Sequence, residues 1–328
     1  MNYSLLPKIE LHLHLDCSLS YAVVSQLDPH VTEQQYREEF VAPSVCVDLR
    51  DYLTRAIKGF SLMQTPAQLR LVTLDLLAQL EADHVIYAEI RFAPLLHTRQ
   101  GLTPAQVVES VQAALQEGSS LYKVIPRLIL CTLRHFTAEQ SLETALLTKQ
   151  FVGQGWVVGF DMAGDEAGYS VAPHKKAFAL IKESGIPFTV HAGEAAGPTS
   201  MWEVIRELAP RRIGHGVRSI EDPALVAYLV EHQIHLEVCP TSNLQTNIFS
   251  SMQQHSLATL YQKGVSISLS TDARMITPVT LSSEYQQVTA AFGWGKPELL
   301  ACNLQALQNA FIDEELRSSL KQRLLAAY

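Results

Sequence analysis

Eight short apolar or β-branched runs recur along the chain, separated by longer stretches with helical periodicity and polar faces. They are IELHLHL (9–15), VIYAEIRFAP (85–94), VIPRLILCTLR (124–134), WVVGFDMAG (156–164), PFTVHAGE (187–194), RRIGHGV (211–217), HLEVCP (235–240) and VSISLSTDA (265–273). Parallel strands need a crossover between them, usually a helix, so this alternation predicts βα units and a parallel sheet. Eight such pairs predict an α/β chain folded as a (β/α)8 TIM barrel. Helix candidates between the runs carry their own start signals: Thr103-Pro104 opens a segment to Gly118, and Asp222-Pro223 opens one to His232. Two segments exceed one strand and one helix. Residues 16–84 form a helical insertion with patterns near Tyr52 to Met63 and Ala67 to Ala82, and Pro297 to Tyr328 predicts two or three helices. No Gly/Ser/Pro-rich linker marks a boundary, so one domain over 1–328 is expected.

With 47% apolar and 18% charged residues, the chain has the make-up of a soluble globular protein with a sizeable core. No apolar run is long enough to span a bilayer; the nearest, Val124 to Leu133, is broken by Pro126 and Arg127. The N-terminus lacks the apolar segment of a secretory signal. Five scattered cysteines without a CxxC pair fit a reducing cytoplasm and no thiolate zinc site. A net charge of −8 argues against nucleic acid as partner, and nothing calls for a membrane, which leaves a small molecule.

In a closed parallel barrel, chemistry sits at the carboxyl ends of the strands. The first run ends with His12, His14 and Asp16 at alternate positions, hence on one face of a strand. The fourth ends with Asp161 and the Ala163-Gly164 turn, the fifth with His191 and Glu194, the sixth with His215, the seventh with Cys239 and the eighth with Asp272. Singly, each has a structural explanation: a hydrogen-bonded core histidine, a first-turn acid or a helix cap, as Asp165 and Glu166 could be. Together at one rim they describe a site. Three imidazoles and a carboxylate, His12, His14, His191 and Asp272, form a ligand set suited to zinc. The fourth strand offers no lysine to bridge a second ion, so one metal is expected. Zinc supplies hydroxide at neutral pH. Glu194, three residues after His191, can sit beside the metal with its carboxyl raised in pKa and donate a proton, while His215 stabilises the attacking oxygen.

These residues resemble the adenosine deaminase family of metal-dependent barrel hydrolases. The resemblance covers nearly the whole chain, through PKIELHLHLDCSLS (7–20), GFDMAGDE (159–166), TVHAGEAAGP (189–198), RIGHGV (212–217), CPTSNLQT (239–246) and STDAR (270–274). It implies zinc ligation by His12, His14, His191 and Asp272, proton delivery from Glu194 to purine N1, and assistance to the water from His215 and Asp272. Hydroxide would add at C6 and ammonia leave. The Gly164 N–H would meet purine N3, with Asp16 and His14 toward the ribose. The PCxxC motif of the other zinc nucleobase deaminases is absent. Two positions depart from the family pattern. Where TDDP is usual the chain reads Thr271-Asp272-Ala273-Arg274, which removes a carboxylate that in the family contacts purine N7, and Cys17 replaces the glycine of HLDG. The first expectation is a deaminase of adenosine and deoxyadenosine. The second is a deaminase of another 6-aminopurine, such as adenine or aminodeoxyfutalosine. A non-catalytic metal-binding relative is the third, and the intact ligand and acid sets speak against it.

Overall fold

In the computed structural model, which describes residues 2–328, eight strands are found among the described residues, all paired in parallel. They are β1 (Lys8–His14), β2 (Val85–Phe92), β3 (Ile125–Leu133), β4 (Val157–Ala163), β5 (His191–Ala192), β6 (Arg212–His215), β7 (His235–Val238) and β8 (Ser266–Leu269). Each falls inside one of the eight apolar runs, except that β1 begins one residue before its run. They form two arcs in chain order, β1 to β4 and β5 to β8.

The arcs meet at both seams. Between β4 and β5, the Phe160 N–H donates to Pro187 O at 3.1 Å and the Thr189 N–H donates to Phe160 O at 3.0 Å. Between β8 and β1, the His14 N–H donates to Asp272 O at 2.8 Å and the Asp272 N–H donates to His12 O at 3.0 Å. Each seam is a single parallel bridge rather than a ladder. The fifth strand, His191–Ala192, is shorter than its sequence run.

Helices clothe the strands as the caps predict. Pro104–Leu121 begins with a capping box from Thr103 and Gln106, and Pro223–Glu231 is capped by Asp222. Leu13, Ile90, Ile213, Leu236 and Ile267 are fully buried within the apolar packing of the two largest core clusters. The barrel interior is charged instead. Arg91 lies 2.8 Å from both Asp161 and Glu237, and Arg212 lies 2.6 Å from Glu89 and 2.7 Å from Glu237, all essentially without exposure. Each guanidinium is thus neutralised by two carboxylates, as buried ions must be.

The insertion after β1 carries Tyr21–Leu27, Glu33–Glu39, Leu49–Leu53, Ala56–Ser61 and Pro66–Ala82. The pattern near Tyr52 to Met63 therefore resolves into two short helices rather than one. Tertiary anchors break it: the Tyr52 hydroxyl bonds the Thr277 hydroxyl at 2.7 Å, and Gly59 sits so close to the Asp16 carbonyl that a Cβ there would lie 2.5 Å away. The tail forms two helices, Lys296–Asn309 and Glu314–Ala327. Among the described residues no helix is long and apolar enough to cross a membrane.

Candidate active site

The seam between β8 and β1 builds the centre. Its two reciprocal hydrogen bonds place Asp272 against the strand that carries His12 and His14. Asp272 takes a left-handed conformation to do so (φ +65°), as does His215 at the end of β6 (φ +62°). Such backbone costs on the order of 1 kcal/mol or more in a non-glycine residue and concentrates where function demands it. Across the barrel, β5 pairs with β6 so that Ala192 lies opposite His215 and His191 opposite Gly214.

Side chains from the two arcs converge. His14 Nε2 lies 3.1 Å from His191 Nε2, and Asp272 Oδ1 lies 3.3 Å from His12 Nε2 and 3.5 Å from His14 Nε2. The four residues offer one ligand atom each, all within 4.8 Å of one another. Donors at 2.0 to 2.1 Å from a tetrahedral zinc would stand about 3.3 Å apart, so the spacing fits such an ion. His12 Nε2 is buried with no hydrogen-bond partner, the mark of a nitrogen awaiting a ligand.

The opposite ring nitrogens are held by acids. His12 Nδ1 lies 3.0 Å from Glu237 Oε2, and His191 Nδ1 lies 3.3 Å from Asp161 Oδ1. A carboxylate there keeps the proton on Nδ1 and turns the Nε2 lone pair inward. Burial holds His14 down to about 3, against the pull of Asp272, so its ring is neutral at pH 7 as a ligand requires. Burial would raise Asp272, Asp161 and Glu237, yet the neighbouring histidines and arginines hold all three below the usual carboxylate range. Gly214 makes room for the rings: a Cβ there would sit 2.7 Å from His12 Cε1.

Beside the cluster stands Glu194, 5% exposed, with Oε1 unpartnered and Oε2 at 3.6 Å from His215 Nε2. Burial, then the charges of Asp272 and Glu166, pushes its carboxyl well above the usual range, which favours the protonated form. The turn holding it is gripped by Glu166, whose carboxylate accepts the N–H groups of Gly193, Glu194, Ala195 and Ala196 at 2.6, 3.0, 2.6 and 3.1 Å. Gly193 is needed there, since its φ is +72° and a Cβ would meet Met201 Sδ at 2.3 Å. Burial and the His12 ring keep His215 well below its ordinary value, hence neutral. A second grouping of His12 with His215 and Cys239 is a poorer metal site, because burial pushes the Cys239 thiol far up and leaves it protonated.

His14, His191, Asp272, Glu194 and His215 open on one cavity of about 560 Å3, whose wall also includes Asp16, Gly164 and Ala273. Leu49, Leu53, Ile57 and Phe60 from the insertion cover it with apolar surface. The volume suits a drug-sized or nucleoside-sized ligand.

The sequence profile of the family Adenosine deaminase matches residues 7–327. The chain belongs to the adenosine deaminase family. Adenosine deaminase from Clostridium acetobutylicum is 33% identical over 326 residues, spanning 97% of each chain. Among solved structures, an adenine deaminase from Arthrobacter aurescens superposes with a TM-score of 0.90 at 23% identity over 98% of both chains. Arabidopsis N6-mAMP deaminase gives 0.89 at 24% identity over 99% of both. Those two show the shared barrel fold. With membership comes the family's class of chemistry, hydrolytic deamination.

Every site residue expected from the sequence lies at this one mouth, including Asp16, which accepts the Ala93 N–H at 3.1 Å from a short turn just past β1 rather than from the strand itself. Several supporting contacts of the site could not be read from the sequence. Glu237 faces His12; Asp161, already placed at the rim, proves to face His191; Glu166 pins the turn of Glu194; and the Ser242 hydroxyl donates to Asp272 Oδ2 at 2.7 Å. Arg274, in the altered TDAR motif, turns away from the cavity and pairs with Glu10 at 2.8 Å and Asp83 at 3.1 Å. Ala273 leaves only a methyl group in the cavity wall, and Cys17 lines the same cavity.

Proposed function

We propose that this chain hydrolyses the 6-amino group of adenosine and 2'-deoxyadenosine, giving inosine or deoxyinosine and ammonia, with one zinc ion held by His12, His14, His191 and Asp272. The observation that carries this reading is the four convergent donors beside the buried Glu194 at the wall of a single cavity. Zinc bound there supplies Lewis acidity that makes water a nucleophile at neutral pH.

The chain's own residues do the rest. Glu194 donates its proton to purine N1, which makes C6 electrophilic; Asp272 takes the proton that the attacking water gives up, and that proton passes to the amine, which departs as ammonia. His215, neutral, hydrogen-bonds the attacking oxygen through the nitrogen that faces Glu194. The Gly164 N–H meets purine N3, and His14 and Asp16 face the ribose. The apolar cover from residues 49–60 excludes water and strengthens each of these electrostatic contacts.

The methyl of Ala273 supports a second reading, a deaminase of another 6-aminopurine such as adenine or aminodeoxyfutalosine, because the wall offers no carboxylate at that point for purine N7. The test is ammonia release and loss of adenine absorbance from a panel of adenosine, deoxyadenosine, adenine and aminodeoxyfutalosine. Glu194→Gln should nearly abolish turnover while zinc content stays at that of the unaltered chain. Full turnover in that variant would remove the proton-donor role.

A further inference from the structure

Behind His215 runs a chain of hydrogen bonds that the reaction above leaves unused. The backbone N–H of Leu257 donates to His255 Nδ1 at 3.0 Å. A backbone amide can only donate, so Nδ1 of His255 is an acceptor and its proton resides on Nε2. That Nε2 lies 3.2 Å from Asn243 Oδ1, to which it donates. The Asn243 amide is thereby oriented, with Nδ2 facing His215 Nδ1 at 3.1 Å. Nδ1 of His215 must then accept, and its one remaining proton sits on Nε2, the nitrogen turned toward Glu194.

Every link has one permitted direction, and the backbone amide at its head sets them all. The three side chains are 3%, 0% and 1% exposed, so water offers no competing partner. Burial holds His255 down to about 3, so its ring carries a single proton and only the tautomer is left to choose.

We propose that Asn243 and His255 are positioning residues that lock His215 in its Nε2–H tautomer, making it a hydrogen-bond donor to the attacking oxygen and denying it the role of general base. This rests on the deaminase reading for what His215 donates to. The lock itself is a property of the fold.

The tautomer is read directly from 15N-histidine spectra, in which a protonated ring nitrogen and a lone-pair nitrogen resonate far apart. In the unaltered protein His215 should show its proton on Nε2. Asn243→Asp replaces the donor with an acceptor and should move the proton to Nδ1. Its kcat on the best substrate should fall about 10²-fold or more while KM changes little, since the lost contact belongs to the transition state. His255→Gln, which can still accept from Leu257 and donate to Asn243, should keep both the tautomer and most of the activity; His255→Leu should mix the two tautomers. A proton on Nδ1 in the unaltered chain, or an unchanged pattern in Asn243→Asp, overturns the proposal whatever the substrate. Failure of the deaminase reading shows separately, as an absence of ammonia release with the tautomer as stated.

Discussion

Glu237→Gln tests whether the charged interior of the barrel serves the ligand cluster above it. Glu237 accepts on Oε1 from Arg212 Nε at 2.7 Å and Thr189 Oγ1 at 2.9 Å. It accepts on Oε2 from Arg91 Nη2 at 2.8 Å and His12 Nδ1 at 3.0 Å. Glutamine keeps one oxygen. If that oxygen stays with Arg212 and Thr189, the amide N–H2 faces two donors, and His12 must surrender its Nδ1 proton and carry it on Nε2 instead. That nitrogen then points a proton at the cluster.

Breaking a buried ion pair costs about 3 to 5 kcal/mol, and the lower end applies because Arg91 retains Asp161 and Arg212 retains Glu89. For a chain of 328 residues that is a fall in Tm of about 4 °C. Zinc affinity should drop by roughly 10- to 100-fold, the usual effect of losing the group that orients a ligand histidine. Melting in excess chelator reads the first quantity, and competition against a fluorescent zinc chelator reads the second. A variant that melts lower yet binds zinc as tightly as before would show Glu237 to be packing alone, and the tautomer argument for His12 would fail.

Two further outcomes follow from single residues. Ala273→Asp should raise kcat/KM for adenosine by about tenfold, as one directed hydrogen bond to a buried ligand atom allows; no gain, alongside faster turnover of another 6-aminopurine, would favour the second substrate reading. Glu284 is fully buried, accepts the Thr241 N–H at 3.1 Å on one oxygen and has no partner on the other, and burial raises it from 4.5 to about 8. A carboxyl raised in the folded state contributes its stability below pH 4.5 and loses it as pH rises through 8, so stability should fall by about 4 to 5 kcal/mol across that window. Glu284→Gln should flatten that part of the curve in denaturant titrations, and an equal slope in the variant would refute the burial argument.

Where the sequence spoke plainly, a repeating physical demand lay behind it. Each strand must be apolar to pack beneath its helix, so all eight were visible as runs, and Thr-Pro and Asp-Pro marked helix starts through their own local chemistry. The four proposed ligands stood out because His12, His14, His191 and Asp272 have no reason to punctuate apolar strands at their carboxyl ends, and the fold brings them together. Their supports did not stand out. Glu237 sits in the middle of HLEV and Asp161 in the middle of GFDMA, and a lone acid in a strand carries no sign of which distant ring it faces. Glu166 had the appearance of a cap, because its four N–H partners lie 27 to 30 positions onward, across a strand connection that only folding brings close. The helix expected near 52–63 broke because Tyr52 and Gly59 answer to Thr277 and Asp16, far outside any local window.

The weak seam between the two arcs has a consequence for how the chain holds together. His12 and His14 come from one arc, His191 and Asp272 from the other. An ion gripped by all four would act as a rivet through the joint, tying the halves where the ladder is thinnest. Metal loading and mechanical closure of the barrel would then be one event, and a chain stripped of its ion should part first along β1 and β8, exposing the edges of both arcs to unwanted partners.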